Sequence, residues 1–127
     1  MSKSDDACVI LGASREPRAA NDTTRTRDLN DRFRSSLLGG KVMMTQGVSS
    51  LDSVRIATLL EQMRRFDAFT PDNDPHGEHD FGAFDEGGDR FFWKIDYYDK
   101  QMEFGSPDAA DPDVTARVLT LMLAEEY

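Results

Sequence analysis

The 127-residue chain carries 15 Lys and Arg against 24 Asp and Glu, a net charge of −9 with both histidines neutral, and 39% of it is hydrophobic. That is one domain's worth of chain with apolar material for one small core, which excludes a wholly disordered protein. One cysteine excludes an internal disulfide framework and a cysteine-built zinc site, and no stretch approaches the roughly 18–20 apolar residues of a membrane span.

No N-terminal segment joins a basic region, a long apolar run and a cleavage site, so the expected location is the cytoplasm, with no membrane partner. The charge is unevenly divided. Residues 1–66 hold 11 basic and 8 acidic side chains, whereas residues 67–127 hold 4 and 16, a net of −12. A surface of that sign repels phosphates, so no direct nucleic-acid contact is expected from the C-terminal half. It leaves three partners: a cation, a basic protein groove, or water.

In chain order, residues 1–20 read as a poorly ordered arm around the short apolar run Ala7–Leu11, with the single cysteine, Cys8, inside it. The domain proper is expected over 21–127. Asn21 or Asp22 can cap a first helix with Leu29, Phe33 and Leu37 at four-residue spacing, and Arg25, Arg27, Asp28, Asp31, Arg32 and Arg34 on its solvated face. Gly39-Gly40 stops it, and residues 41–46 (KVMMTQ) read as a strand. Ser49 or Ser50 then caps a second helix over about 51–66, its stripe formed by Ile56, Leu59, Leu60, Met63 and Phe66. Two prolines, Pro71 and Pro75, make the following stretch a loop.

Strands over 81–85 and 90–98 flank a Gly87-Gly88 turn. The register then sets Phe84 opposite Phe91, Gly82 opposite Trp93 and Asp85 opposite Arg90, with Phe91, Trp93, Ile95 and Tyr97 on the core face. A second turn at Asp99-Lys100 leads into a third strand over 101–104, placing Met102 opposite Tyr97, Phe104 opposite Ile95 and Asp96 opposite Glu103. That last pair is like-charged, which disfavours the pairing unless Lys94, an arginine, a metal or a basic partner offsets it. Asp111-Pro112 reads as the start of a final helix bearing Val114, Val118, Leu119, Leu121, Met122 and Leu123. The expected fold is a single α+β two-layer domain of order α-β-α-β-β-β-α, an antiparallel β-meander packed by helices.

The densest polar cluster is Asp72 to Asp80, which holds both histidines. His76, Glu78, His79 and Asp80 supply the nitrogen and oxygen ligands of a divalent metal site of the Zn, Mn or Fe kind. Equally, Asp, Asn and His at such positions bond local backbone and hold a proline-rich loop in shape. Nucleophilic catalysis finds little support, because no G-x-S-x-G or phosphate-binding glycine loop occurs.

The run PDNDPHGEHDFGAF (71–84), with FFWKIDYYD (91–99) and FGSPDAADPDVTARVLTLMLAEEY (104–127), resembles an uncharacterised bacterial family, a domain of unknown function met mainly in alphaproteobacteria and often on plasmids. The segment 29–48 is also similar. The resemblance brings no catalytic residues and implies an accessory role on a mobile element.

Two classes of function follow as expectations. One is a non-catalytic interaction protein whose carboxylates (Asp72, Asp74, Asp85, Glu86, Asp89, Asp96, Asp99 and Glu103) engage a basic protein surface. Its sharpest form is an anti-CRISPR or anti-restriction antagonist that imitates DNA phosphates on a nuclease or nucleic-acid-binding complex. The alternative is a metal-dependent hydrolytic enzyme built on His76, Glu78, His79 and Asp80.

Overall fold

The computed structural model describes residues 18–127, so the expected N-terminal arm, including Cys8 and the run Ala7–Leu11, lies outside the described residues except for its last three. Those three belong to helix α1 (Arg18–Ser36), which begins before Asn21 and Asp22 rather than being capped by them. Its inward face is Thr26, Asn30, Phe33 and Arg34, all buried, with Leu37 partly so. Arg34, expected on the solvated face, is 4% exposed, with its guanidinium over the rings of Trp93 (4.9 Å) and Phe69 (5.3 Å). Its long stem and flat head fill the gap between helix and sheet as an apolar side chain would.

Strand β1 (Lys41–Met44) is followed by a one-turn helix α2 (Gln46–Ser49) and by α3 (Ser53–Arg64). The cap of α3 is Asp52, whose carboxylate accepts from the N–H of Arg55 at 2.8 Å, rather than Ser49 or Ser50. Leu59 and Met63 are fully buried, and Leu60 and Phe66 are partly buried against the core, as the stripe predicts.

Strands β2 (Phe81–Glu86) and β3 (Asp89–Tyr98) form the expected hairpin in the expected register: Phe84 pairs with Phe91, Gly82 with Trp93 and Asp85 with Arg90. Gly87 and Gly88 have φ of +61° and +87°, the left-handed pair that a two-residue primed turn needs. At Gly82 the requirement is space, since a Cβ there would sit 2.3 Å from the indole nitrogen of Trp93.

The structure departs from expectation after Tyr98. Residues 101–104 form no strand; only an isolated bridge joins Tyr98 to Gly105, and Met102 turns back with φ +61°. The third meander strand is instead β4 (Ala116–Leu123), the segment expected as the final helix. Met102 and Phe104 therefore do not face Tyr97 and Ile95; Arg117 and Leu119 do. Asp96 faces Val118, so the like-charge pair with Glu103 does not arise. Asp111 caps no helix, its carboxylate instead accepting from the N–H of Asp113 at 2.9 Å in a local turn.

The sheet order is β1-β4-β3-β2, with β2, β3 and β4 antiparallel and β1 parallel to β4 at the far edge. The result is a single α+β domain with a mixed four-stranded sheet. Phe33, Val48, Leu59 and Met63 from the helices pack on Phe91, Trp93, Ile95, Leu119 and Leu121 from one face of the sheet. Each such fully buried apolar side chain contributes about 1.5–3 kcal/mol. The register puts Lys41, Met43, Phe81, Phe92, Lys94, Asp96, Tyr98, Val118, Thr120 and Met122 on the opposite face. No described helix covers that face; the chain's last residue, Tyr127, folds against Phe92 (5.5 Å between rings) and Phe81 (6.1 Å). No described helix is long and apolar enough to cross a membrane.

Candidate functional site

The strand directions bring the starts of β1, β2 and β4 and the end of β3 to one end of the sheet. Both long loops, 65–80 and 99–115, lie there. Residues 65–80 and 99–115 together carry ten acidic side chains and two basic, a net of −8, against 14 acidic and 13 basic in the rest of the chain. Nearly all of the chain's net charge of −9 therefore lies in these two loops.

The 65–80 loop is shaped by its own short polar side chains. The N–H of Thr70 donates to the Asn73 side-chain oxygen Oδ1 at 2.9 Å, and the N–H of Asn73 donates back to the Thr70 hydroxyl at 3.2 Å. Asp74 is buried, and its carboxylate accepts from the N–H of His79 at 3.2 Å. His79 itself takes φ +56° and lies flat on Phe69, ring centroids 3.7 Å apart. Its Nδ1 is 2.8 Å from Asp31 of α1, and its Nε2 is 3.6 Å from Asp74.

Beside this pair sits a second network centred on Tyr97, at the end of β3. The Asn30 amide nitrogen donates to the Tyr97 hydroxyl at 2.8 Å and to the Glu78 carbonyl at 3.0 Å. The Tyr97 hydroxyl is in turn 3.2 Å from the Glu78 carboxylate and 3.5 Å from that of Asp80. Burial, ahead of every other cause, raises both carboxyls above their ordinary values and raises the Tyr97 hydroxyl strongly. Arg117 of β4 is 4% exposed; its Nε donates to the Asn30 oxygen at 2.9 Å, an Nη donates to the Ala109 carbonyl, and its guanidinium lies over the Tyr97 ring. Burial lowers the Arg117 pKa.

The proposed metal-ligating residues are thus divided. Glu78 and Asp80 share the Tyr97 hydroxyl, His79 is engaged by Asp31 and Asp74, and His76 is exposed. Among the described residues, no three His, Cys, Asp or Glu side chains are grouped to hold a metal ion. Chemically, the two networks fasten the loop to α1, β3 and β4.

The carboxylates expected to meet a partner divide in the same way. Asp85 pairs with Arg90 at 3.2 Å, Asp96 with Lys94 at 2.9 Å, and Glu86 and Asp89 both with Arg55 at 2.8 Å. Asp99 accepts from the N–H of Glu103 at 3.0 Å, and Asp74 is buried. Asp72 and the Glu103 side chain stand exposed on the acidic loops.

Asn30, Asp31 and Arg117 did not stand out as site residues in the sequence. The available signal was a polar residue at an inward helical position: Asn30 lies four residues from Arg34 and four from Thr26, on a face where an apolar stripe is usual.

No curated protein and no solved structure matches the chain. One family model does, that of a protein of unknown function designated DUF3768, over residues 44–126. The matched stretch begins at the last residue of β1 and takes in α2, α3, β2, β3 and β4, with both acidic loops. With that stretch spanning most of its length, the chain belongs to the DUF3768 family.

Proposed function

We propose that the protein is a non-catalytic interaction module whose acidic loop end engages a basic surface on a partner protein. One observation supports this reading above the others: two separate loops lie at one end of the sheet and carry nearly all of the chain's net charge. A field concentrated on one end accelerates encounter with a cationic partner and makes association salt-sensitive. In its sharpest form the module is an anti-CRISPR or anti-restriction antagonist of a plasmid or other mobile element, working in the cytoplasm. Its loop carboxylates then stand where DNA phosphates would on a nuclease. The hairpin carboxylates Asp85, Glu86 and Asp89 are less suited to that role, because arginines of the same chain already answer them.

The test compares two variants of equal net charge. Asp67→Asn, Asp72→Asn, Glu103→Gln and Asp113→Asn together neutralise four loop carboxylates. Asp28→Asn, Asp85→Asn, Asp96→Asn and Glu125→Gln neutralise four elsewhere. A basic partner captured by the wild type and the second variant, lost from the first and released as salt rises, is the expected result. Capture that follows total charge wherever it lies, or that persists at high salt, would contradict the proposal.

A further inference from the structure

The sheet face turned away from the helices meets the 99–105 loop in a crevice of about 340 Å³, lined by Lys41, Lys100, Met102, Ala116, Arg117 and Val118 and walled by the Gly39-Gly40 backbone. Its floor is apolar: Val118 is the ladder partner of Lys41, and Ala116 lies two residues earlier on the same face. The two lysines reach it from different elements, the start of β1 and the loop after β3.

Neither lysine pairs with a carboxylate of the described residues; Arg34, Arg55, Arg64, Arg65, Arg90 and Lys94 do, and Arg25, Arg27, Arg32 and Arg117 do not. Arg117, which also lines the crevice, has its guanidinium engaged by Asn30, the Ala109 carbonyl and the Tyr97 ring, so the two lysines are the crevice cations left without a partner among the described residues. The N–H groups of Gly39 and Gly40, at the same wall, likewise have no acceptor among the described residues. Met102, 42% exposed, is held in the left-handed region by its own N–H donating to the Asp99 carbonyl at 2.9 Å. A non-glycine residue in that conformation costs energy, and such costs concentrate where a loop must present a side chain to a ligand.

We propose that this crevice binds a small amphiphilic anion, a molecule with an anionic head and an apolar body. The head lies between the Lys41 and Lys100 ammonium groups, and the body lies over Val118, Ala116 and Met102. This is the usual composition of a small-molecule site, an apolar surface with a few polar groups that fix orientation. It does not depend on the acidic loops having a partner.

The experiment follows backbone amide shifts of the full chain during titration with octanoate, octanol and inorganic phosphate. The same titrations are run on Lys41→Met/Lys100→Met, which keeps most of the stems and removes the charges. The expected result is saturable octanoate shifts centred on residues 39–41, 100–102 and 115–118, at least tenfold weaker with octanol and with the double variant. Equal binding of octanol, octanoate binding that survives the double substitution, or no saturable shift at those residues would overturn the proposal. Phosphate binding as tightly as octanoate would overturn the apolar half of it.

Discussion

Replacing Asn30 by alanine removes the side chain that joins α1 to the 65–80 loop, to β3 and to β4 at once. Three hydrogen bonds go with it: to the Glu78 carbonyl at 3.0 Å, to the Tyr97 hydroxyl at 2.8 Å and from Arg117 Nε at 2.9 Å. The Tyr97 hydroxyl keeps a carboxylate acceptor, so the larger losses fall on the other two groups. A buried polar group stripped of its partner costs about 1–3 kcal/mol, and more when charged, as Arg117 is. The expected loss is about 3–5 kcal/mol, a large share of the roughly 5–15 kcal/mol typical of a domain. With a urea slope of about 1–3 kcal/mol per molar, the midpoint falls by about 2 M with the slope itself unchanged. Trp93, the single tryptophan and fully buried, reports the transition by fluorescence. Adding Arg117→Met to Asn30→Ala should recover part of the loss, because it removes the uncompensated cation. A loss below about 1 kcal/mol, or a double variant less stable than Asn30→Ala alone, would refute the reasoning.

Three further outcomes follow from the same packing and charge. Gly82→Ala places a methyl within 2.3 Å of the Trp93 ring and should cost about 1–3 kcal/mol or more, read as a lowered Tm; an unchanged Tm would mean the hairpin shifts freely. Glu126 has its pKa lowered by hydrogen bonds from the Thr45 hydroxyl and from the N–H groups of Leu123 and Gly47. A depressed folded-state pKa gives stability that is present above the unfolded value near 4.5 and lost as pH falls through the folded value. Glu126→Gln should therefore be less stable than the wild type at neutral pH, with the gap closing on acidification. Asp80 has the opposite sign, since burial raises its pKa. Relative to the wild type, Asp80→Asn should gain stability as pH rises above the unfolded value near 3.8, and a gap independent of pH would contradict its burial.

The β2–β3 hairpin was legible because its signals agree: strict alternation through Phe91, Trp93 and Ile95, a Gly-Gly turn, and a glycine opposite the largest ring. β4 was not, for a physical reason. As a central strand it is buried on both faces, with Arg117, Val118, Leu119, Leu121 and Met122 all under 9% exposed, so alternation is lost. Its Leu, Met and Ala residues also favour helix, and a helical period fits the same apolar positions. The Asp111-Pro112 signal is genuine turn chemistry read as a cap. α1 was placed correctly as a helix but its inward face was rotated, because Asn30 and Arg34 take core positions that the pattern assigns to apolar side chains. The same two polar insertions hid the network around Tyr97, whose members come from four separate segments. By contrast, the Asp72–Asp80 loop was visible as a polar concentration, and its backbone-bonding role at Asn73 and Asp74 is the plainer of its two readings.

Amide hydrogen–deuterium exchange, measured on the protein alone and with its captured basic partner at low salt, tests the acidic end most directly. The expected result is slowed exchange confined to residues 67–80 and 99–115, relieved as salt is raised. Slowed exchange confined to α3 or to the 85–90 turn, or failure to capture any basic protein at low salt, would contradict an interaction module working through that end.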